Sequence, residues 1–179
     1  HPFRYRQGDE RISHQYVCDL LNRLTGGQAI AVTDVGQHQM WMAQWYRCRE
    51  PRSFITSGGL GAMGFGFPAA MGAKFARPDR TVIAVAGDGG FQMTMQDLIT
   101  AVEHRLAIPI IILNNGALGM VRQWQTFFYG DRRSASILRN PDFARIAEAF
   151  GARGIRVERP EQVEGALRLA LAVEDGPVV

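Results

Sequence analysis

Two short polar motifs in this sequence carry residues that could hold a metal ion and an anion. Asp88 lies in "GDGG", directly after the apolar run "TVIAVA", and Asn115 lies in "NNG", directly after the apolar run "IPIIIL". Each motif alone also fits an Asp-Gly or Asn-Gly turn. One strand–helix–strand passage separates them, so the two side chains would lie at the ends of neighbouring or near-neighbouring strands. A carboxylate, an amide oxygen and a loop carbonyl are hard oxygen ligands that suit Mg²⁺.

The glycines around Asp88 extend this hypothesis to a diphosphate. Glycines let an anion approach backbone N–H groups, and a helix predicted to begin near Gln92 would present its positive end to that anion. A competing hypothesis comes from "GLGAMG", residues 59–64, which fits the G-x-G-x-x-G fingerprint of nicotinamide or flavin dinucleotide sites. In that case Asp88 would bind a ribose, but Asn114 and Asn115 would have no role.

These motifs need a scaffold that gathers the ends of strands. The sequence alternates helical segments with the apolar strands "AIAVTDV", "SFITS", "TVIAVA" and "IPIIIL", followed by "GIRVE" and "PVV". Continuously apolar strands belong to a parallel sheet that is covered on both faces. We therefore predict an α/β fold, a doubly wound parallel sheet with helices on both faces, which binds ligands at the carboxyl ends of its strands. The polar segment Gln125–Asn140 is either a surface loop or an active-site lid.

The composition narrows the possible classes of function. The 179 residues are 46% hydrophobic and 21% charged, which is typical of one globular domain. The basic residues are scattered, and all except Lys74 are arginines, so no basic stripe indicates nucleic-acid binding. No apolar run is long enough to span a bilayer. Cys18 and Cys48 have no partner at metal-ligand spacing and are expected to be reduced thiols in a cytoplasmic protein.

The GDG and NN motifs, with residues 90–113 between them, resemble the thiamine-diphosphate motif, and the similarity covers almost the whole chain. The segments "VTDVGQHQMWMAQWY", "TSGGLGAMGFGFPAAMGAKFA" and "LNNGALGMVRQWQTFFYGDR" resemble the C-terminal, diphosphate-binding domain of acetohydroxyacid synthase (acetolactate synthase) catalytic subunits. The resemblance implies the thiamine-diphosphate-binding fold over residues 12–179. It also implies that residues 1–11 are a linker from an upstream domain that is missing here.

The resemblance assigns a role to each candidate site residue. Three residues would bind Mg²⁺, through two side chains and one main-chain oxygen: Asp88, Asn115 and Ala117, respectively. The residues that would contact the diphosphate are Gln37, His38, Gly89 and Gly90, and Gly87 is a further candidate cofactor-binding residue. Gly61 and Met63 would hold the aminopyrimidine ring through backbone groups, and Met63 would also wedge beneath the cofactor. The residues that would line the cofactor and the channel for the second substrate are Leu118, Gly119, Met120 and Trp124.

The reaction that the resemblance implies is carboligation in branched-chain amino-acid biosynthesis. Pyruvate loses CO₂ while the thiazolium ring acts as an electron sink, and the two-carbon unit adds to a second 2-keto acid. In this family the activating glutamate belongs to the pyrimidine domain of a second subunit in a homodimer or larger assembly. FAD is expected only in the full-length parent, and a regulatory small subunit is a possible partner. This chain alone is therefore expected to be inactive and to bind the cofactor weakly at most.

Two alternatives stay open within the same class of proteins. The chain could belong to another thiamine-diphosphate carboligase or decarboxylase, such as a glyoxylate carboligase. It could also be a non-catalytic module that binds thiamine diphosphate. The dinucleotide-binding domain is the alternative from a different class.

Overall fold

The computed structural model describes residues 4–8 and 10–179, and in this part of the chain the centre of the fold is a four-stranded parallel sheet. Its hydrogen-bonded order is β2-β1-β3-β4. The strands are β1 (Ile30–Thr33), β2 (Phe54–Thr56), β3 (Val82–Gly87) and β4 (Ile110–Leu113). The prediction of a parallel α/β fold is confirmed.

Helices connect the strands and cover both faces of the sheet. They are α1 (His14–Thr25), α2 (Gln37–Trp45), α3 (Gly66–Ala76), α4 (Asp88–Thr94), α5 (Leu98–Glu103), α6 (Gly119–Phe128), α7 (Phe143–Ala149) and α8 (Pro160–Leu171). A 3₁₀ turn, Met95–Asp97, joins α4 to α5, so the helix predicted to begin near Gln92 is interrupted. Within the described residues, no helix has the length and apolar character that crossing a membrane requires.

The order of the strands places a topological switch point between β1 and β3. The crossover through α2 adds β2 on one side of β1, and the crossover through α3 returns to add β3 on the other side. Thr33 is in register with Val85, and Gly87 is in register with Leu113. The carboxyl ends of β1, β3 and β4 therefore lie at one edge of the sheet, where open α/β sheets bind their ligands.

Strand β3 is apolar throughout because its two faces enter different cores. Ala84 faces a core that is built around Phe91 and includes residues of α3, α5 and α7. Ile83 faces a second core, where Leu21 of α1 and Leu167 of α8 pack with residues of α2. Since alternate side chains of a strand point to opposite faces, a strand buried on both sides shows no alternation of apolar and polar residues.

Two parts of the predicted organisation differ from the structure. The segments "GIRVE" and "PVV" do not form regular strands, but Val178 makes isolated parallel bridges to Pro109 and to Arg153, which extend the sheet beyond β4. Of the predicted linker, residues 1–3 and 9 lie outside the described residues. In its described part, the Tyr5 ring lies 4.9 Å from the ring of Trp45, and this portion therefore contacts the domain.

The aromatic cluster of the first core should dominate the stability of the fold. Phe91 is fully buried, and its ring centroid lies 5.9 Å from that of Phe67 and 5.7 Å from that of Phe143. Replacing Phe91 with Ala should lower the free energy of unfolding by about 3–5 kcal/mol, because a cavity remains where the ring was. The control is Phe128→Ala, since Phe128 is 75% exposed. Equal urea midpoints for the two variants would contradict this assignment of the core.

Candidate functional site

A small cavity of about 50 Å³ lies at the carboxyl edge of the sheet, beside the ends of β1, β3 and β4. It gathers all the predicted site residues except Gly61 and Trp124, which do not line it. The predicted residues that line it are Gln37, His38, Met63, Gly87, Asp88, Gly89, Gly90, Asn115, Ala117, Leu118, Gly119 and Met120. Residues that are far apart in the sequence therefore share one site.

The carboxylate of Asp88 is buried at the floor of this cavity, with only 2% of the residue exposed. Its Oδ2 atom accepts hydrogen bonds from the backbone N–H of Ala117, at 3.2 Å, and from Nδ2 of Asn140, at 2.6 Å. The same N–H of Ala117 also donates to Oδ1 of Asn115, at 3.0 Å. One backbone donor thus brings the Asp88 carboxylate and the Asn115 amide oxygen close together.

The donor set at this position has a definite chemical character. In the described part of the chain, no three His, Cys, Asp or Glu side chains cluster in a way that could hold a metal ion. The cavity lining brings together the three residues whose oxygens were predicted to bind a metal ion: Asp88, Asn115 and Ala117. Such a set of hard oxygens, with few charges, suits Mg²⁺ that keeps positions for water or phosphate oxygens, and it does not suit zinc.

His38 lies in the first turn of α2, over the end of β3. A methyl group added at Gly87 would lie 3.0 Å from Nδ1 of His38, so this glycine leaves room for the imidazole ring. The ring is 5% exposed, and burial lowers the pKa of His38 to about 4, although the carboxylates of Asp34 and Asp88 act in the opposite direction. The ring is therefore neutral at pH 7. Its Nε2 atom is buried and has no hydrogen-bond partner among the described residues.

Helix α4 begins at Asp88, earlier than the predicted start near Gln92, so Gly89 and Gly90 lie in its first turn. The first N–H groups of a helix have no partner within the helix and can donate to an anion. A methyl group added at Gly89 would lie 2.6 Å from a methyl carbon of Leu118 and 3.5 Å from Cε of Met63. The backbone of Gly89 thus lies close to the apolar side chains of Leu118 and Met63, which leave no room for a larger residue at this position.

Asp34 is a buried carboxylate at the end of β1 that the sequence reasoning did not identify. It is 1% exposed, and its oxygens accept hydrogen bonds from the backbone N–H groups of Val35, Gly64 and Gly66, at 2.6–3.1 Å. A methyl group added at Gly90 would lie 2.5 Å from Oδ1 of Asp34. Residue 90 must therefore be a glycine because the Asp34 carboxylate leaves no room for a side chain, whether or not a ligand also approaches it. An acid directly after an apolar strand is the signal that also marked Asp88.

The glycine-rich segment between β2 and α3 does not have the arrangement of a dinucleotide site. In such a site the N–H groups at the start of the following helix face a diphosphate. Here the N–H groups of Gly64 and Gly66 donate to Asp34 instead. Gly61 is exposed, has a φ of +64°, and donates its N–H to the carbonyl of Ser57 at 3.1 Å.

The segment predicted to be a loop or lid, Gln125–Asn140, is divided into parts with different structure. Helix α6 continues to Phe128, so the irregular part begins later than predicted. Residues 129–135 are exposed, whereas Ser136 is buried. Trp124, on α6, is 53% exposed and lies outside the cavity. Asn140, which the sequence reasoning did not single out, reaches Asp88 from the end of this segment.

The buried imidazole should make stability depend on pH. An unfolded histidine titrates near 6.5, and His38 in the folded chain titrates near 4, so the unfolded chain binds more protons between these values. The free energy of unfolding should therefore fall as the pH drops from about 6.5 to about 4, by up to about 3 kcal/mol from this residue. His38→Gln should flatten this dependence in urea titrations at several pH values. His104→Gln, at an exposed histidine, is the control, and an unchanged slope in His38→Gln would contradict the assignment.

The Asp34 carboxylate should be essential to the local structure. Asp34→Ala leaves the buried N–H groups of Gly64 and Gly66 without their acceptor, and we expect a loss of about 2–4 kcal/mol in the free energy of unfolding. The matched control is Asp79→Ala, which removes an exposed carboxylate paired with Arg77. Thermal or urea unfolding of both variants measures the difference. A loss at Asp34 no larger than that at Asp79 would show that the hydrogen bonds to Asp34 contribute little.

Comparison with known proteins agrees with this arrangement. The chain is 49% identical over 178 residues to an acetolactate synthase large subunit of Mycobacterium tuberculosis, an alignment that covers 97% of this chain and 29% of the relative. It is 46% identical over 179 residues to an acetolactate synthase large subunit of Lactococcus lactis, covering 99% of this chain and 31% of the relative. It is 48% identical over 169 residues to the large subunit of acetolactate synthase isozyme 3 of Escherichia coli, covering 94% of this chain and 29% of the relative.

The chain thus spans about three-tenths of the length of these relatives. The resemblance to acetolactate synthases that the motifs indicated is confirmed over nearly the whole chain. Residues 34–179 also match the sequence model of a family described as "Thiamine pyrophosphate enzyme, C-terminal TPP binding domain". The competing hypothesis of a nicotinamide or flavin dinucleotide site is therefore wrong. The chain belongs to the thiamine pyrophosphate enzyme family, as its C-terminal TPP-binding domain.

Proposed function

We propose that this chain is the diphosphate-binding domain of an acetolactate synthase and that it holds thiamine diphosphate through Mg²⁺. The observation that carries the proposal is the N–H of Ala117, which donates to both Asp88 and Asn115 and so gathers the oxygen ligands at neighbouring strand ends. The similarity to acetolactate synthase large subunits from several bacteria supports the assignment to this enzyme.

The residues at the site fit this cofactor in their chemistry. Asp88, Asn115 and the main-chain oxygen of Ala117 would hold Mg²⁺. The buried Nε2 of His38, which lacks a partner among the described residues, could bind a diphosphate oxygen, and the N–H groups at the start of α4 could donate to the same anion. Gln37 now contacts Asn115 and Gln123 through its amide, and it would exchange these partners for the diphosphate.

The apolar residues around the cavity would orient the cofactor and exclude water. When bound, thiamine diphosphate supplies an electron sink for the decarboxylation of pyruvate and the transfer of a two-carbon unit to a second 2-keto acid. Met63 and Leu118 both lie close to Gly89, and Met120 lines the same cavity, so these side chains would form the wall against which the cofactor lies. Trp124 is exposed on α6, outside the cavity, and would border the path of the second substrate.

We further propose that the exposed face of α6 packs against the pyrimidine domain of a second subunit, in a cytoplasmic homodimer or larger assembly. This helix is strongly amphipathic, yet none of its residues is buried within the described chain. The large apolar side chains exposed on α6 and just beyond it are Val121, Trp124, Phe127, Phe128, Tyr129 and Ile137. The glutamate that activates the cofactor would be contributed by this pyrimidine domain.

Binding of the cofactor should require Mg²⁺ and the Asp88 carboxylate. Calorimetric titration with thiamine diphosphate should show weak binding in the presence of Mg²⁺ and none in EDTA, and NAD should not bind. Asp88→Asn keeps the shape of the side chain but removes its charge, and it should weaken binding at least tenfold, because the proposed metal site loses its only negatively charged ligand. Asp79→Asn, at an exposed carboxylate, is the control. Unaltered affinity in Asp88→Asn would exclude Asp88 as a metal ligand.

The chain alone should form no acetolactate from pyruvate, even with saturating thiamine diphosphate and Mg²⁺. The reason is that the glutamate that activates the cofactor would be contributed by the pyrimidine domain of a second subunit. A colorimetric assay for acetolactate measures this directly. Turnover by the purified 179-residue chain would show that the site is complete without a partner.

A further inference from the structure

Asn140 has a complete set of partners around the proposed metal ligands. Its Nδ2 donates to Oδ2 of Asp88 at 2.6 Å and to Oδ1 of Asn114 at 2.7 Å. Its Oδ1 accepts from Nε2 of Gln92, at 2.8 Å. Both N–H groups of the amide and its oxygen are therefore used, and they join the end of β3, the loop after β4 and helix α4. An amide is the only side chain of this size that offers two donors and an acceptor together.

The backbone before Asn140 is fixed to the same loop. The N–H of Leu118 donates to the carbonyl of Ser136, and the N–H of Leu138 donates to the carbonyl of Gly116, both at 2.9 Å. Ser136 is 1% exposed, and its Oγ donates to Oε1 of Gln125 at 2.7 Å. We call residues 136–140 the strap. It pairs in antiparallel fashion with the loop that carries the backbone of Ala117.

We propose that Asn140 is a positioning residue for the metal site, which sets the orientation of the Asp88 carboxylate and holds the strap against the loop. The proposal rests on the proposed function, since it assumes that Asp88 binds Mg²⁺. Two donors on one carboxylate oxygen, from Ala117 and Asn140, restrict rotation of the carboxylate about its last torsion angle. A ligand that is already oriented loses less conformational freedom when the metal binds, so affinity for the metal depends on groups that do not touch it.

This role differs from that of a lid. The part of the segment that reaches the site, residues 136–140, is joined to the loop by two backbone hydrogen bonds and by the amide of Asn140. The exposed part, residues 129–135, is instead hydrogen-bonded to α6: Oγ1 of Thr126 donates to Oδ1 of Asp131 at 2.7 Å, and Nε2 of Gln125 donates to the carbonyl of Ser134 at 2.8 Å. The strap therefore belongs to the framework of the metal site.

The test separates affinity for the metal from affinity for the cofactor. Thiamine diphosphate binding by the full 179-residue chain is titrated at a series of Mg²⁺ concentrations, for the parent and for Asn140→Ala and Asn140→Ser. The Mg²⁺ concentration for half-maximal binding should rise roughly tenfold or more in Asn140→Ala. At saturating Mg²⁺ the affinity for thiamine diphosphate should return to within about twofold of the parent value, because the diphosphate contacts are intact. Asn140→Ser can replace one of the two donors and should show a smaller shift in the same direction.

The control is Asn22→Ala, which removes an asparagine that accepts only one described bond, from the N–H of Arg47, away from the cavity. Melting temperatures in EDTA show how far each variant remains folded. An unchanged dependence on Mg²⁺ in both Asn140 variants would overturn the proposal. So would a parallel loss of affinity for Mg²⁺ and for thiamine diphosphate that follows the melting temperature, because that pattern is expected of a purely structural role. If the parent shows no Mg²⁺-dependent binding, the proposed function fails and this proposal fails with it.

Discussion

The site is organised around the buried carboxylate of Asp34. Placing a charge in the interior is costly unless hydrogen bonds replace the lost hydration, and here the N–H groups of Val35, Gly64 and Gly66 do so. These bonds hold the end of β1, the glycine-rich segment and the start of α3 together. Because Gly90 packs against the same carboxylate, the first turn of α4 is placed by it too. The backbone on this side of the cavity is thus preorganised: the fold fixes it before any ligand arrives.

The sequence predicted the parts of the site that lie at the ends of buried strands. The uninterrupted apolar run before Asp88 required a central parallel strand, and the run before Asn115 required its neighbour, so the meeting of these two residues follows from strand order. The start of α4 was harder to predict because Gly89 and Gly90 have low helix propensity. In the structure their backbone is directed by the end of β3 and by packing against Leu118 and Asp34, and this tertiary context overrides the propensity.

The residues that the sequence did not reveal depend on pairing between distant segments. Asn140 reaches Asp88 because the strap pairs with the loop at Ala117, and no local pattern specifies this register. The segment "GIRVE" has the apolar and β-branched residues of a strand, yet its pairing near Val178 amounts to an isolated bridge and a few backbone hydrogen bonds, such as that from the N–H of Ile155 to the carbonyl of Val179 at 2.7 Å. Strand propensity is realised only where a partner supplies a ladder of hydrogen bonds, and the sequence alone does not state where that partner lies.

The two sides of the cavity differ in how firmly they are held. β3 and the first turn of α4 are buried between the two cores, whereas Asn115 and the first residues of α6 are partly exposed. Local openings occur most readily where few apolar groups are buried. The half of the site that carries Asp88 is therefore the stable one, and the half that carries Asn115 is the one whose order a ligand or a partner can most easily change.

The uncovered face of α6 has a further consequence, which follows from mass action. Val121 both lines the cavity and is exposed, and Phe127 and Phe128 are exposed on the same helix. Exposed apolar side chains of this kind favour association as the protein becomes concentrated. Since anything that covers the mouth of the cavity alters the free energy of ligand binding, association and ligand affinity are thermodynamically linked. Association through this face would therefore make the dissociation constant of a ligand vary with the concentration of the chain itself.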